Sequence, residues 1–231
     1  MSGVPRLILA SQSPARAKLL TEAGLRFDVI VSAVDEDAVT AAAGDPTPAE
    51  TALLLARAKA EAVAALPEAQ DAYVLGCDSV FEFEGAAYGK PYEPAVAIER
   101  ISRLSGQEGV LHTGHWLLAP SAAPTGSPQQ NDDGGSAPSS SAAEGTGSGA
   151  SGLGRLSSAG VRFTEIDPAE IRAYVATGEP LHCAGSFTID GIGGAFIESV
   201  TGDPHTVVGL SVSTLRALLA GHGTGITEFW A

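Results

Sequence analysis

The order of strand and helix signals along the chain restricts the fold more than any other feature of the sequence. An apolar run at 6–10 predicts a buried strand. Ser13-Pro14 after it predicts a helix start, because Ser favours the N-cap and Pro fits the first helical position. Thr47 and Glu50 have the spacing of a capping box and open a second, longer helix. Strands that alternate with helices in this way predict an α/β fold with a mixed sheet.

The remaining elements follow from the same signals of periodicity, length and turn residues. They are helices at 13–24, 47–66, 94–104, 168–177 and 211–220, strands at 27–31, 73–78, 110–118 and 160–165, strand-like segments at 184–189 and 195–200, and a hairpin at 81–88 that turns at Glu84-Gly85.

The segment from 119 to about 158 has a composition unlike the rest of the chain. Gly, Ser, Ala and Pro dominate it, and almost no large apolar side chain occurs. Such a segment cannot bury enough surface to offset the entropy that is lost on ordering, so we predict that it is disordered. The strand at 110–118 has no obvious partner until 160–164, so we interpret the segment as an enlarged hairpin loop within one domain that spans 1–231. Long surface loops of this kind cost little stability.

The charge balance and the apolar pattern exclude some classes of partner. A formal net charge of −14 gives no broad attraction to a nucleic-acid backbone, so a phosphate-bearing ligand would need a local cluster of cations. No run approaches the roughly 18 apolar residues of a membrane span, and no signal-peptide core follows Met1, so we expect a cytoplasmic protein. Cys77 and Cys183 lack metal-binding spacing and are predicted to be buried free thiols.

The turn between the first strand and the first helix is the first candidate site. A helix start exposes backbone N–H groups and the positive end of the helix dipole, which suit a phosphate group. Ser11 and Ser13 add hydroxyl groups there, and Arg16 adds a cation capable of bidentate contact. An ordinary capped helix explains the same residues without any ligand, so the turn alone leaves both interpretations open.

Lysine is rare in this chain, which has only Lys18, Lys59 and Lys90. Lys59 lies on the long predicted helix. Lys90 lies between Gly89 and Pro91, in a rigid turn after the hairpin. A rigid turn gives a lysine a fixed direction, although a solvated surface lysine remains the alternative for each of the three.

Carboxylates follow two of the predicted strands. Asp78 ends the third strand, and Asp35-Glu36-Asp37 follows the second. Since the carboxyl ends of strands are where α/β sites gather, these groups are candidates for holding Mg²⁺ and for activating a water molecule. N-capping or a charged surface loop is the alternative, above all for the triplet. The histidines show no paired ligand spacing, so core or surface roles are favoured for them.

Several short motifs occur in one order along the chain, and together they are more specific than any one of them. The series resembles the Maf family of nucleotide pyrophosphatases over nearly the full length outside 119–158. The matching stretches are Leu9-Ala10-Ser11-Gln12-Ser13-Pro14-Ala15-Arg16, Val34-Asp35-Glu36, Ala56-Arg57-Ala58-Lys59-Ala60, Gly76-Cys77-Asp78-Ser79-Val80, Gly89-Lys90-Pro91, Leu104-Ser105-Gly106 with His112-Thr113-Gly114, Ala184-Gly185-Ser186-Phe187, and Val208-Gly209-Leu210.

This resemblance implies a fold, an activity and a set of site residues. The implied fold is a two-lobed, mixed-sheet α/β fold with a central groove, of the Maf-like (anticodon-nuclease/ITPase-like) type. Asp78 matches the family's catalytic general base, and Glu36 matches an acidic residue that assists the metal ion or the water. A divalent cation, Mg²⁺ or Mn²⁺, is implied with Glu36 and Asp78 as its ligands. The groups that match triphosphate-binding residues are Ser11, Arg16, Lys59 and Lys90.

Two positions bear on how the triphosphate and the base would be recognised. Ala15 stands where the family commonly has the first of two arginines, so one phosphate contact is absent or supplied elsewhere. Asp190 stands where members that prefer dTTP and UTP carry glutamine. An acidic side chain can accept hydrogen bonds from the N1–H and exocyclic amine of guanine. With 180–187, this is more similar to the 7-methyl-GTP branch, which implies a modified nucleotide and a role in cleansing the nucleotide pool.

Two other functions stay open from the residues alone. A catalytically silent nucleotide-binding regulator of cell division or septation would bind the triphosphate without cleaving it, and a phosphatase would release orthophosphate. Asp78, Lys59 and Lys90 argue against a silent site, whereas Ala15 leaves that possibility open. The expected partner is a nucleoside triphosphate, with no nucleic acid and no membrane, and the resemblance implies that a second copy of the chain can join it in a homodimer.

Overall fold

The computed structural model describes residues 4–120, 143–145 and 152–231. Its strands are β1 (Arg6–Ala10), β2 (Asp28–Val29), β3 (Ala72–Phe83), β4 (Ala86–Tyr88), β5 (Glu108–Leu118), β6 (Ala143–Gly145), β7 (Gly152–Phe163) and β8 (Ile197–Thr201). Its α-helices are α1 (Pro14–Glu22), α2 (Glu36–Ala42), α3 (Pro48–Ala64), α4 (Pro94–Leu104), α5 (Pro168–Ala176), α6 (Pro204–Val208) and α7 (Val212–Gly221). Short 3-10 helices lie at Pro67–Ala69, Glu179–His182, Ala184–Ser186, Ile192–Phe196 and Ile226–Phe229. Across these described segments, no helix has the length and apolarity that crossing a bilayer requires.

The eight strands form one mixed sheet, which confirms the predicted α/β class. The strand order is β2-β1-β3-β5-β7-β6, with β4 paired to β3 and β8 paired to β7. Strand β1 runs parallel to β2 and β3, whereas the other pairs are antiparallel. Strand β3 is therefore the central element, because β1, β4 and β5 all pair with it.

The buried side chains of the described residues form core clusters in two lobes. In the first lobe, successive side chains of β1 point to opposite faces of the sheet. Leu7 and Leu9 pack against α1 and α7, whereas Ile8 and Ala10 face α3. In the second lobe, Phe81 lies at the centre of an aromatic and aliphatic core beneath α4. Strand β3 runs from one core into the other, so residues in its middle lie between the lobes.

Helix α3 lies directly on the sheet because both partners are small at the contact. Ala52 and Ala56 are one helical turn apart and fully buried, and they face Gly114 of β5 and Gly76 of β3. A Cβ atom at Gly76 would lie 2.1 Å from the carbonyl oxygen of Ala56, and one at Gly114 would lie 2.2 Å from that of Ala52. The two glycines thus set how closely α3 approaches the middle of β3.

Residues 152–158 correct the predicted extent of the disordered insertion. They form the first part of β7 and pair with β5 from Leu118 back to His112, so the prediction is wrong for them. Their small side chains serve packing, because a Cβ at Gly154 would lie 2.3 Å from the ring of Trp116. Residues 143–145 form β6 on β7, whereas 121–142 and 146–151 lie outside the described residues.

The prediction of a strand-like segment at 184–189 is also wrong. Residues Ala184–Ser186 form a 3-10 helix in which Gly185 and Ser186 have φ angles of 72° and 64°. Such left-handed backbone angles cannot continue a strand. Helices α2 and α6, and the 3-10 helix near the C-terminus, were not predicted, because they are too short to show a helical period.

Candidate active site

The central strand has a four-residue opening along one edge. On that edge β1 pairs with residues 72–76 and β4 pairs with 81–83, while β5 occupies the opposite edge over 74–82. Among the described residues, no strand pairs with Cys77–Val80 on the open side. This opening lies where the chain leaves β1 and starts α1, so the carboxyl end of β1 and the middle of β3 form the floor of a groove.

Asp78 lies in this opening and points toward α3. Its carboxylate accepts a 2.6 Å hydrogen bond from Nζ of Lys59 and is 8% exposed. The same Nζ lies 2.7 Å from the carboxylate of Glu36, which is half exposed at the start of α2. The close approach of α3 to Gly76 brings Lys59 to this place. The structure therefore brings together three predicted site residues, two carboxylates with one ammonium between them.

Burial shifts the proton affinity of the two adjacent groups on β3. Burial raises the pKa of Asp78 above its ordinary value, and Glu36 adds to this, whereas Lys59 and Arg16 oppose it. Burial also raises the pKa of the Cys77 thiol to about 12, so this side chain stays protonated in the core. A carboxylate with a raised pKa is a stronger base than an exposed aspartate, which suits proton abstraction near neutral pH.

The start of α1 supplies the predicted hydroxyl groups and a buried cation. Ser13 caps the helix and accepts a hydrogen bond from the backbone N–H of Arg16 at 3.4 Å. The guanidinium of Arg16 donates to Ser11 Oγ at 3.1 Å, to Ser79 Oγ at 3.0 Å and to the carbonyl of Gly209 at 2.7 Å. Ser79 follows Asp78 on the opposite face of β3, so the groove has Arg16 on one side and Lys59 on the other.

Lys90 and Asp190 lie on the second lobe and apart from this cluster. Both are exposed, and the charges of both shift the pKa of the half-buried Cys183. Burial raises the pKa of that thiol, Glu179 and Asp190 raise it further, and Lys90 opposes them. The carboxylate of Asp190 accepts a hydrogen bond from Thr188. Both cysteines are free, as predicted, although only Cys77 is fully buried.

The carboxylates of Glu36 and Asp78 fit a hard divalent cation as far as their chemistry goes. Both are oxygen donors, and both already contact one cation, the ammonium of Lys59. No cluster of three or more histidine, cysteine or acidic ligands occurs in the part of the chain that the structure describes. One or two carboxylates with phosphate oxygens and water completing the shell is the usual arrangement for Mg²⁺.

Four residues of the site were not singled out by the sequence: Ser79, Thr113, His115 and Gly209. The hydroxyl groups of Ser79 and Thr113 form a 3.0 Å hydrogen bond beside Arg16. His115 is fully buried, which agrees with the core role that was one of the two alternatives for the histidines. Ser79, Thr113 and Gly209 lie within motifs that match the family, which was the one available signal. Their contacts join distant parts of the chain, so no local pattern could have assigned them a role.

Comparison with known proteins gives a consistent result over the whole chain. A family model described as Maf-like protein matches residues 6–222. A nucleoside triphosphate pyrophosphatase of Streptomyces coelicolor is 48% identical over 226 residues, which cover 98% of this chain and 95% of that protein. Proteins of the same name from Streptomyces avermitilis and Salinispora tropica are 46% and 45% identical, covering 97% and 98% of this chain and 94% and 88% of their own lengths. The chain therefore belongs to the Maf-like protein family.

Proposed function

We propose that this protein hydrolyses nucleoside triphosphates to the monophosphate and pyrophosphate. The observation that carries the proposal is Asp78, a buried carboxylate with a raised pKa at the open edge of the central strand, with Lys59 in contact. The relatives named nucleoside triphosphate pyrophosphatase support the same reaction. A base and cations on both sides of one groove are what cleavage of a phosphoanhydride requires.

The groups around the groove divide into those that bind phosphate and one that moves a proton. The triphosphate lies across the start of α1, where the backbone N–H of Ala15 and the hydroxyl groups of Ser11 and Ser13 donate hydrogen bonds, since Pro14 has no N–H and that of Arg16 already donates to Ser13. Arg16 and Lys59 offset its charge from opposite sides, and Lys90 contributes from the second lobe. Asp78 takes a proton from a water molecule while the oxygen of that water bonds to the α-phosphorus. The bond between the α-phosphorus and the bridging oxygen then breaks, and pyrophosphate leaves.

A divalent cation, Mg²⁺ or Mn²⁺, belongs to this proposal. Glu36 and Asp78 would hold it, because they are the acidic pair that faces the groove beside Lys59. When bound, it offsets negative charge that builds up on the phosphate oxygens. The ammonium of Lys59, which contacts both carboxylates, orients them, and this is the contribution of the chain itself.

The nucleobase and the physiological setting are finer parts of the proposal. Asp190 is exposed on the second lobe, with its carboxylate oriented by Thr188, and can accept hydrogen bonds from a purine edge. We propose a modified purine nucleotide such as 7-methyl-GTP as the preferred substrate. Removal of such nucleotides from the cytoplasmic pool is the proposed role, and a homodimer is the proposed assembly.

One assay separates this function from its two rivals. The protein is incubated with 7-methyl-GTP, UTP, dTTP and the standard nucleotides in Mg²⁺, and pyrophosphate and orthophosphate are measured separately. Pyrophosphate with monophosphate supports the proposal, orthophosphate alone indicates a phosphatase, and binding without product indicates a silent regulator.

The assignment of the base has its own test. Asp78→Asn is expected to lower kcat by about 10²- to 10⁴-fold, because a general base contributes about that much. Asp37→Asn is the matched control, since Asp37 is an exposed carboxylate of α2 beside Glu36. Wild-type turnover by Asp78→Asn on every nucleotide that the unmodified protein cleaves would show that Asp78 is not the base.

A further inference from the structure

A closed ring of hydrogen bonds lies behind Arg16, and we call it the Arg16 ring. It comprises Arg16, Ser79, Thr113, Thr206 and Gly209. The Thr113 hydroxyl donates to the carbonyl of Thr206 at 2.8 Å, so its one proton is committed. Ser79 must then donate to Thr113 and accept from Arg16. The backbone N–H of Gly209 donates to the same carbonyl of Thr206 at 3.1 Å. The ring closes where the carbonyl of Gly209 accepts a hydrogen bond from Nε of Arg16.

A second side chain of β5 fastens the same segment two residues beyond Gly209. Nε2 of His115 accepts a hydrogen bond from the backbone N–H of Ser211 at 2.8 Å, and neither residue is exposed. Since Nε2 is an acceptor, the imidazole is neutral and carries its proton on Nδ1. Ser211 also caps α7 and donates to Asp203 at 2.5 Å. His115 thus anchors the segment at the N-cap of α7.

Thr113 and His115 hold the segment on both sides of Gly209. They are two positions apart on β5, so their side chains point to the same face of the sheet. Between their attachment points, Gly209 has a φ of 117°, which other residues rarely adopt, and this conformation aims its carbonyl at Arg16. The direction of that carbonyl therefore depends on where β5 anchors the two flanking residues.

The ring determines which groups of Arg16 remain available to a ligand. A guanidinium has five N–H groups, and three of those on Arg16 donate to Ser11, Ser79 and Gly209. Within the described part of the chain, the other two N–H groups make no hydrogen bond. Position 15 is alanine and adds no second guanidinium. The two remaining N–H groups of Arg16 are therefore the charged donors that this turn can present to a phosphate group.

We propose that Thr113 and His115 are positioning residues for triphosphate binding. They set the Gly209 carbonyl and the Ser79 hydroxyl, which together orient the guanidinium of Arg16 so that its two remaining N–H groups meet phosphate oxygens. This inference rests on the proposed function, since it deepens the account of the same site. Neither residue touches the substrate, so their effect must pass through Arg16.

Two matched variants of His115 test the inference. His115→Gln keeps an acceptor near the position of Nε2, whereas His115→Met has similar length and no comparable acceptor. His115→Met is expected to raise KM for the nucleotide about tenfold with a smaller change in kcat, because a buried N–H loses its partner. His115→Gln is expected to stay within about twofold of wild type. Equal KM values for wild type and His115→Met would overturn the inference.

A second pair of variants guards against a failure of His115→Met to fold. Thr113→Val removes the hydroxyl and is expected to raise KM about tenfold, whereas Thr113→Ser keeps the hydroxyl and restores binding. Ile171→Ala serves as the stability control, because Ile171 is buried in the second lobe and belongs to neither anchor. If Ile171→Ala raised KM as much as Thr113→Val, loss of stability alone would explain the effect and the inference would be wrong.

The path through Arg16 is tested by combining variants. In an Arg16→Met background, His115→Met is expected to change KM by less than about twofold, because the contact that it serves is gone. An undiminished tenfold effect there would overturn the inference. Binding of inorganic tripolyphosphate gives a readout without catalysis. If the wild-type protein cleaves no nucleotide, the proposed function fails, while a Kd for tripolyphosphate that His115→Met weakens about tenfold still supports the inference and an unchanged Kd overturns it.

Discussion

Replacing Gly76 by alanine tests whether the contact between α3 and the sheet builds the active site. The added Cβ would lie 2.1 Å from the carbonyl oxygen of Ala56 and 2.8 Å from the backbone nitrogen of Ala60. Both obstacles are backbone atoms of a helix, so no side-chain rotation can relieve the contact. Helix α3 must therefore move away from β3 by about 1 Å to restore a normal separation, and a rigid, close-packed interior transmits that movement.

The size of the effect follows from two separate costs. Overpacking of this kind costs about 3 kcal/mol, which corresponds to a fall in Tm of about 10 °C for a chain of this length. Lys59 lies on the same helix one turn from Ala56, and its ammonium is 2.6 Å from Asp78. If Lys59 binds the triphosphate as proposed, a displacement of about 1 Å should lower kcat/KM by about 10²-fold.

Thermal unfolding and the pyrophosphate-release assay measure the two costs independently. Gly114→Ala should behave in the same way, because its Cβ would lie 2.2 Å from the carbonyl oxygen of Ala52. Gly89→Ala is the stability control, since a Cβ there meets nothing within 4 Å, and it should change the free energy of unfolding by less than about 1 kcal/mol. A Tm for Gly76→Ala within about 2 °C of wild type would refute the claim that this contact sets the position of α3.

Three further outcomes are expected. Burial and Arg16 lower the pKa of His115 to about 4, with opposition from Asp203, so the unfolded chain binds a proton between about pH 6.5 and 4 that the folded chain does not. The free energy of unfolding should therefore fall by about 3 kcal/mol over that range beyond the fall seen for His115→Gln, in denaturant titrations at several pH values. Removal of divalent cations with EDTA should stop pyrophosphate release, and Mg²⁺ or Mn²⁺ should restore it. Arg16→Lys should raise KM about tenfold in steady-state kinetics, because a point charge cannot keep three separate hydrogen bonds and a phosphate contact.

The elements that the sequence predicts well are those whose signals are local. Thr47 and Glu50 exchange both hydrogen bonds of the predicted capping box, and Ser13 caps α1 as expected. The turn at Glu84-Gly85 also joins β3 to β4 as predicted. Each of these signals lies within a few residues of the structure that it specifies, so neighbouring side chains suffice to specify it.

The elements that the sequence misses depend on distant contacts. Residues 152–158 have the composition of a loop, yet their glycines make room for Trp116 on the neighbouring strand. The opening at 77–80 exists because β1 pairs with β3 only as far as Gly76 and β4 pairs with β3 only from Phe81 onward. Arg16 and Gly209 are 193 positions apart in the chain and 2.7 Å apart in space. Composition and period cannot reveal contacts of this kind, whereas the order of family motifs indicates that such residues share a site.

The fixed position of Arg16 bears on Ala15, which stands where the family commonly has the first of two arginines. A mobile cation must lose side-chain freedom when it binds phosphate, and that loss of entropy opposes binding. Arg16 has already lost that freedom, because three hydrogen bonds hold its guanidinium before any ligand arrives. A fixed donor pair in a buried setting interacts with an anion more strongly than an exposed one, since water screens it less. In the proposed site the chain would therefore rely on the orientation of one arginine rather than on the number of charges at the turn, and β5, through Thr113 and His115, would contribute to phosphate binding.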